Sequence, residues 1–298
     1  MRQGYGWLFI LMGAVILVYF AAIGPIGDWI FASKNHDLQH VSLQDIDAIH
    51  VKTTSGNVQI RTEQRSDLKA ELTGQGSHRY KLEINRSGSR LEVELKRKRS
   101  FWNFIQLDWF RGSARLELIV PRDFEHRLQL TASSGNITAD GTSQMPFQLS
   151  EMSVKLTSGN IKIHHVQADH LALEGTSGNI HATDAKVGTA DLKLTTGNIK
   201  MKEFQGAVNA KITSGNLDIQ FAQLTGPIEA RLTSGRAVLD LPDDAGFTLD
   251  AQVTSGKISN DFPLQNARIE SNRKWSGTHG SGEHEIKLSA TSGHITLK

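Results

Sequence analysis

Five aspartates, Asp140, Asp184, Asp218, Asp240 and Asp250, recur between positions 140 and 250 of a 298-residue chain. Two carboxylates facing one glycosidic bond would supply the acid and the base or nucleophile that cleave it. That chemistry needs a pair held at a set separation. These five fall at varying positions of the repeat described below, and Asp243-Asp244 lies in a Leu-Pro-Asp-Asp-Ala-Gly turn. No two units place acids so as to compel a pair. His164-His165, His170 and His181 cluster in sequence, and neutral imidazole is a common metal ligand. His181, however, takes a repeat position that holds Lys162 and Lys200 in the neighbouring units, and stacked ammonium groups repel a cation. His279, His284 and His294 read as surface residues. The chain has no Gly-x-Ser-x-Gly elbow, no aspartate–glycine calcium repeat and no cysteine. The last removes disulfides, cysteine–zinc sites, thiol nucleophiles and a lipoprotein anchor. No catalytic, cofactor or metal residue is assigned, and the expectation is a non-enzymatic protein.

A different chemistry is offered by the least repetitive stretch. Lys96, Arg97, Lys98 and Arg99 are followed by Phe101, Trp102, Phe104, Trp109 and Phe110. Basic residues beside aromatics suit an anionic membrane surface or an extended polymer. The competing reading is a hairpin, spanning 96–112, whose aromatics cover an open end of the fold. The two readings are compatible. The formal net charge of +2 gives no electrostatic case for a nucleic-acid partner.

These residues must be positioned by a repeated phrase. Ser-Gly-Asn-Ile or a near copy occurs nine times, with its glycine at Gly56, Gly135, Gly159, Gly178, Gly197, Gly215, Gly235, Gly256 and Gly293. From Gly135 to Gly256 the steps are 24, 19, 19, 18, 20 and 21 residues; the first gap is 79 and the last is 37, near four and two periods. Such self-similarity predicts stacked units. Counting from each glycine, positions −5, −3, +2 and +4 are apolar or small, as in Val154, Leu156, Ile161 and Ile163. Positions −3 and +2 are an odd distance apart, so strict alternation would put them on opposite faces. Both point inward only if the chain turns a corner at Ser-Gly. The unit is therefore strand, corner, strand. The residues after the glycine, Asn136, Asn160, Asn179, Asn198 and Asn216, then stack into an amide ladder at ~4.8 Å steps. We read this row as structural rather than as a stripe for sugars or water. Arg236, Lys257 and His294 continue the same column.

Upstream, alternating segments such as Leu68-x-Ala70-x-Leu72, Tyr80-x-Leu82-x-Ile84, Leu91-x-Val93-x-Leu95 and Leu116-x-Leu118-x-Val120 predict half-buried strands. Gly4 to Gly27 carries no charge, and at ~1.5 Å per residue it spans a ~30 Å hydrocarbon core. A cleaved signal peptide is the rival, but Ala21-Ala22-Ile23 is a poor cleavage site. Arg2 and the amino terminus favour an N-in orientation. Residues 1–30 are thus expected to be a membrane anchor, 31–45 a polar linker and 46–298 a solenoid domain.

Repeated Thr-Ser-Gly-Asn-Ile units after an alternating region resemble the bacterial "putative adhesin" repeat domain of unknown function, which includes envelope proteins of the Lia stress-response type. The resemblance covers residues 46–298. It implies a right-handed β-solenoid, an envelope location and no established catalytic residue. The resulting expectation is an all-β, single-stranded β-solenoid of ~20-residue repeats behind one transmembrane helix. It would sit on the outer side of a bacterial cytoplasmic membrane, as a scaffold or binding surface for an envelope protein or polysaccharide. A polysaccharide-active enzyme and a self-assembling filament are the alternatives.

Overall fold

The computed structural model describes residues 37–98 and 113–298. Fourteen strands form one continuous sheet that winds into a coil. In chain order they are β1 (Asp37–Ser42), β2 (Ala48–Ser55), β3 (Asn57–Glu63), β4 (Asp67–Thr73), β5 (Tyr80–Ser87), β6 (Arg90–Arg97) and β7 (Arg115–Pro121). There follow β8 (Arg127–Asp140), β9 (Phe147–Gln223), β10 (Ile228–Asp240), β11 (Phe247–Asn260), β12 (Gln265–Ile269), β13 (Lys274–His279) and β14 (His284–Leu297). The long β9 is not one straight strand. It runs through four corners, at Gly159, Gly178, Gly197 and Gly215.

Side chains an odd number of residues apart face the core on both sides of a corner, as at Leu194 and Ile199 or Ile212 and Leu217. Leu156 and Ile161 are five residues apart, yet they are only 4% and 1% exposed. Between them Gly159 has φ +134°, a backbone conformation that side chains rarely adopt. Stacking the corners closes the space as well. A Cβ on Gly178 would lie 1.7 Å from the carbonyl oxygen of Gly159. Glycine is therefore required twice over, for its conformation and for its lack of a side chain. The inward residues form aliphatic columns, such as Ile161, Ile180, Ile199 and Leu217, none more than 1% exposed. Each contributes ~1.5–3 kcal/mol by leaving water, which offsets the entropy of ordering its stretch of chain.

A second bend follows at the sixth residue after the glycine. There His165, Asp184 and Glu203 have φ of 52°, 52° and 51°. Left-handed backbone costs a non-glycine residue ~1–2 kcal/mol. The bend recurs in three successive coils, so the stack imposes it.

Stacking order departs from chain order at both ends. Gly135 sits directly on Gly56, so the 79-residue gap does not hold missing units in line. Instead β2 and β3 lie under β8, and the outermost coil is made of β6, beside β2, and β7, beside β3. Antiparallel strands close this end: β5 on β6, β4 on β7, and β1 on β4. Residues 37–42, expected to be linker, are thus an edge strand. Polar residues hide their alternation in the sequence, because an edge strand buries little.

At the other end β14 slides between β10 and β11, pairing in parallel with both. The corner order is therefore Gly235, Gly293, Gly256. Residues 261–283, which the spacing suggests as a further unit, fold back as β12 and β13 over β11. Phe247, Phe262 and His279 pack ring to ring there, with centroids 5.0–5.4 Å apart. His279, expected at the surface, is half-buried in this cap. The outermost strand β12 is five residues long and carries a register shift between Gln265 and Arg268. Short, irregular edges resist pairing with further chains. Among the described residues no helix is long and apolar enough to cross a membrane; the segment 4–27 lies outside them.

Candidate functional site

The corners carry the ladder that the spacing predicts. Asn136, Asn160, Asn179, Asn198 and Asn216 each donate a side-chain N–H to the amide oxygen one coil back, at 3.2, 3.0, 3.0, 2.9 and 2.7 Å. The first acceptor is Asn57, which also receives the Asn136 backbone N–H at 3.1 Å. Beyond Asn216 the column continues as Arg236, His294 and Lys257, in that spatial order. The corner glycines Gly135, Gly159, Gly178, Gly197 and Gly215 stack beneath these amides.

Two outward faces flank this edge. On the face that follows the corner, positions +3 and +5 of three successive coils hold Lys162 and His164, His181 and Thr183, and Lys200 and Lys202. Contact with the sheet, then the ammonium groups of Lys162 and Lys200, hold the His181 imidazole below its ordinary value. That is the repulsive company expected for His181. Among the described residues no group of three or more acids and histidines is placed to hold a metal ion. His165 and Asp184 meet on the second bend at 2.7 Å.

The face that precedes the corner has a groove of about 550 Å³ over the small residues Ser153 and Ala172. Glu151, Glu174 and Asp191 line it together with Lys155, Lys193 and His50. Three carboxylates in one groove are not visible in the sequence, because they stand at different distances from their glycines. Two of them are engaged: Glu174 by Lys155 at 3.1 Å, and Asp191 by His170 at 3.4 Å and by the Asn209 amide, which donates at 2.9 Å. Burial, then Lys52, hold His50 below its ordinary value. A second groove of about 590 Å³ lies along the return run and includes Asp169, Lys186 and Gly188.

The basic stretch is split by the structure. Lys96 and Arg97 belong to β6, so the insertion begins later than position 96. Lys96 pairs with Glu83 at 2.7 Å and with Glu94 at 3.2 Å; these contacts raise its own pKa and, with Lys81, depress that of Glu83. The Lys98 backbone N–H donates to the Arg79 carbonyl at 2.7 Å. Arg99, Phe101, Trp102, Phe104, Trp109 and Phe110 lie outside the described residues. Where the insertion joins is clear. Thr53 pairs with Leu95 and Asn57 with Arg115, so β6 and β7 flank the position at which β2 and β3 are joined through Ser55-Gly56. The Ala114 carbonyl accepts the Asn57 N–H at 3.0 Å. Asp37, where the described chain begins, pairs with Leu72, which pairs with Leu116. Asp37 and Leu116 therefore lie two strands apart, ~10 Å, at one end of the sheet.

The family model described as Toastrack DUF4097 matches residues 46–298. No curated protein matches the chain. Among solved structures, a putative adhesin from Bacteroides fragilis is similar at 14% identity with a TM-score of 0.49, over 89% of this chain and 98% of that one. A putative lipid binding protein from Parabacteroides distasonis is similar at 15% identity and a TM-score of 0.46, over 89% and 97%. A putative adhesin from the same species is similar at 12% identity and 0.45, over 89% and 98%.

Proposed function

The chain belongs to the Toastrack DUF4097 family, and from that premise we propose that it is a non-enzymatic envelope scaffold. Its segment 4–27 anchors it in the bacterial cytoplasmic membrane. The solenoid stands on the outer side, and the insertion between Lys98 and Ser113 rests on the bilayer. One observation carries this reading: Asp37, which follows the N-terminal segment in the chain, and Leu116, which follows the insertion, stand two strands apart at the same end of the sheet. An anchor at that end brings Trp102 and Trp109 within reach of the headgroups, where aromatic rings and basic side chains are favoured. The far end, with β12 and β13, would then project away from the membrane and present the faces to envelope partners.

The cysteine-free chain makes the test simple. Asn272 is exposed in the short turn between β12 and β13, at that far end. Trp102→Cys and Asn272→Cys variants of the full chain are expressed in bacteria. An impermeant thiol reagent should label Asn272→Cys in intact cells. In anionic proteoliposomes, a polarity-sensitive dye at Trp102→Cys should be quenched by lipid-borne nitroxides, and a dye at Asn272→Cys should not. Labelling only after lysis would refute the orientation. Equal quenching at both positions would refute the membrane contact.

A second reading, cleavage of an envelope polysaccharide, is favoured by the three carboxylates of one groove. It requires reducing-end release from a glycan by the wild type that Asp191→Asn abolishes.

A further inference from the structure

The corner ladder leaves hydrogen-bonding capacity unused. An asparagine amide has two N–H groups, and each ladder bond consumes one. The second N–H of Asn160, Asn179 and Asn198 remains for a ligand, one every ~4.8 Å along the stack.

Beside this row, the same three coils carry Lys162, Lys200 and Lys202 with His164 and His181, and no acid at either outward position. Lys162 and Lys202 have no ion pair among the described residues, and Lys200 only approaches Asp218 at 3.8 Å. On the same face the flanking coils hold Asp218, beside Lys200, and Asp140, which pairs in register with His164 and accepts from the Gln59 amide; Asp184, engaged by His165, and Glu203 lie around the second bend. The opposite arrangement holds on the face before the corner, where Glu174 and Asp191 stand among the lysines. Three lysines against the two flanking aspartates leave an excess of positive charge next to the amide row. The depressed basicity of His181 reports the same field, after the effect of its burial.

We propose that this face binds an anionic polysaccharide laid along the solenoid axis. Its carboxylate or phosphate groups meet Lys162, Lys200 and Lys202, and its hydroxyls meet the amide row. Two coil steps, ~9.6 Å, approximate one disaccharide of an extended chain, so sugar and protein repeats stay in phase. Nucleic acid fits less well, since bases need aromatic platforms and the outward positions of these three coils hold none. A lipid surface fits less well for lack of an apolar anchor. The inference deepens the scaffold reading, on which it rests, by giving a ligand class to its exposed face.

The test is binding by the full chain in nonionic detergent micelles, which is independent of topology in the cell. Failure here therefore leaves the membrane assignment standing, and the reverse also holds. The probes are polygalacturonate, a phosphomannan and neutral dextran of matched length, with a single-stranded oligonucleotide and anionic vesicles alongside. Triple reversal Lys162→Glu, Lys200→Glu and Lys202→Glu should weaken binding of at least one anionic glycan about tenfold or more, a loss of ~1.4 kcal/mol. Lys→Arg at the same positions should retain it. Reversing Lys186, Lys193 and Lys211, on the other faces, should change it less than about twofold, because screening confines charge effects to roughly a Debye length. The two anionic glycans separate a carboxylate from a phosphodiester ligand. Equal loss in both triples, equal binding of dextran, tighter binding of the oligonucleotide or vesicles, or no glycan binding would each overturn the proposal. A thermal melt of each variant confirms that these exposed changes leave the fold intact.

Discussion

At the scale of single residues, glycine in this chain does two different jobs. Gly88 turns the β5–β6 hairpin at φ +61°, and nothing lies within 4 Å of an added Cβ. Gly178 has φ +135°, and its Cβ would strike the Gly159 carbonyl at 1.7 Å. Gly88→Ala should therefore cost ~1 kcal/mol, the strain of left-handed backbone alone. Gly178→Ala should cost about 4 kcal/mol or more, in the tail that strain and overpacking produce. Urea unfolding of the two variants checks the contrast; similar losses would mean that stacking does not set the requirement. His181 makes a second residue-scale prediction. Desolvation, then Lys162 and Lys200, depress its pKa from 6.5. The folded state thus binds the His181 proton more weakly than the unfolded chain does. Stability is unaffected by this group above pH ~6.5 and declines as pH falls below it, until the folded value is passed. Lys162→Met or Lys200→Met should move the His181 titration upward in an NMR experiment, without restoring it fully, because the desolvation remains.

At the scale of elements, the C-terminal strand decides how the stack ends. β14 supplies Ile286, Leu288, Ile295 and Leu297 to the core, all buried, and it separates two strands that are consecutive in the repeat series. Truncation after Glu283 should strip the partner from β10 and β11 together. Solenoid stability is transmitted between neighbours. Protection from hydrogen exchange should therefore fall across residues 247–279 while the coils of Gly135 to Gly215 keep theirs. Unchanged protection over 247–279 would show that β10 and β11 can close on each other directly. The element scale also explains why β1 reads as linker in the sequence. Only Leu38 and Val41 mark it, and its burial comes from pairing with β4 across a distance no local pattern reveals.

At the scale of the whole molecule, the solenoid itself is written in the chain. A period near 20 residues, the odd spacing of Leu156 and Ile161 about a glycine, and the recurrent asparagine compel strand, corner and amide ladder. Each of these depends only on neighbours in one unit and on stacking that unit on its like. Which unit lies on which is a matter of long-range pairing. Gly135 rests on Gly56, and Gly293 enters between Gly235 and Gly256. All coils offer the same edge, so pairing that leaves no periodic trace must choose among them. The faces arise in the same way. In the sequence Lys162, His181 and Lys200 argue only against a metal; with the corners in register they form one cationic surface. The carboxylates at Glu151, Glu174 and Asp191 converge on a groove for the same reason. Position within a unit is set locally, whereas adjacency across units exists only after the chain has closed on itself.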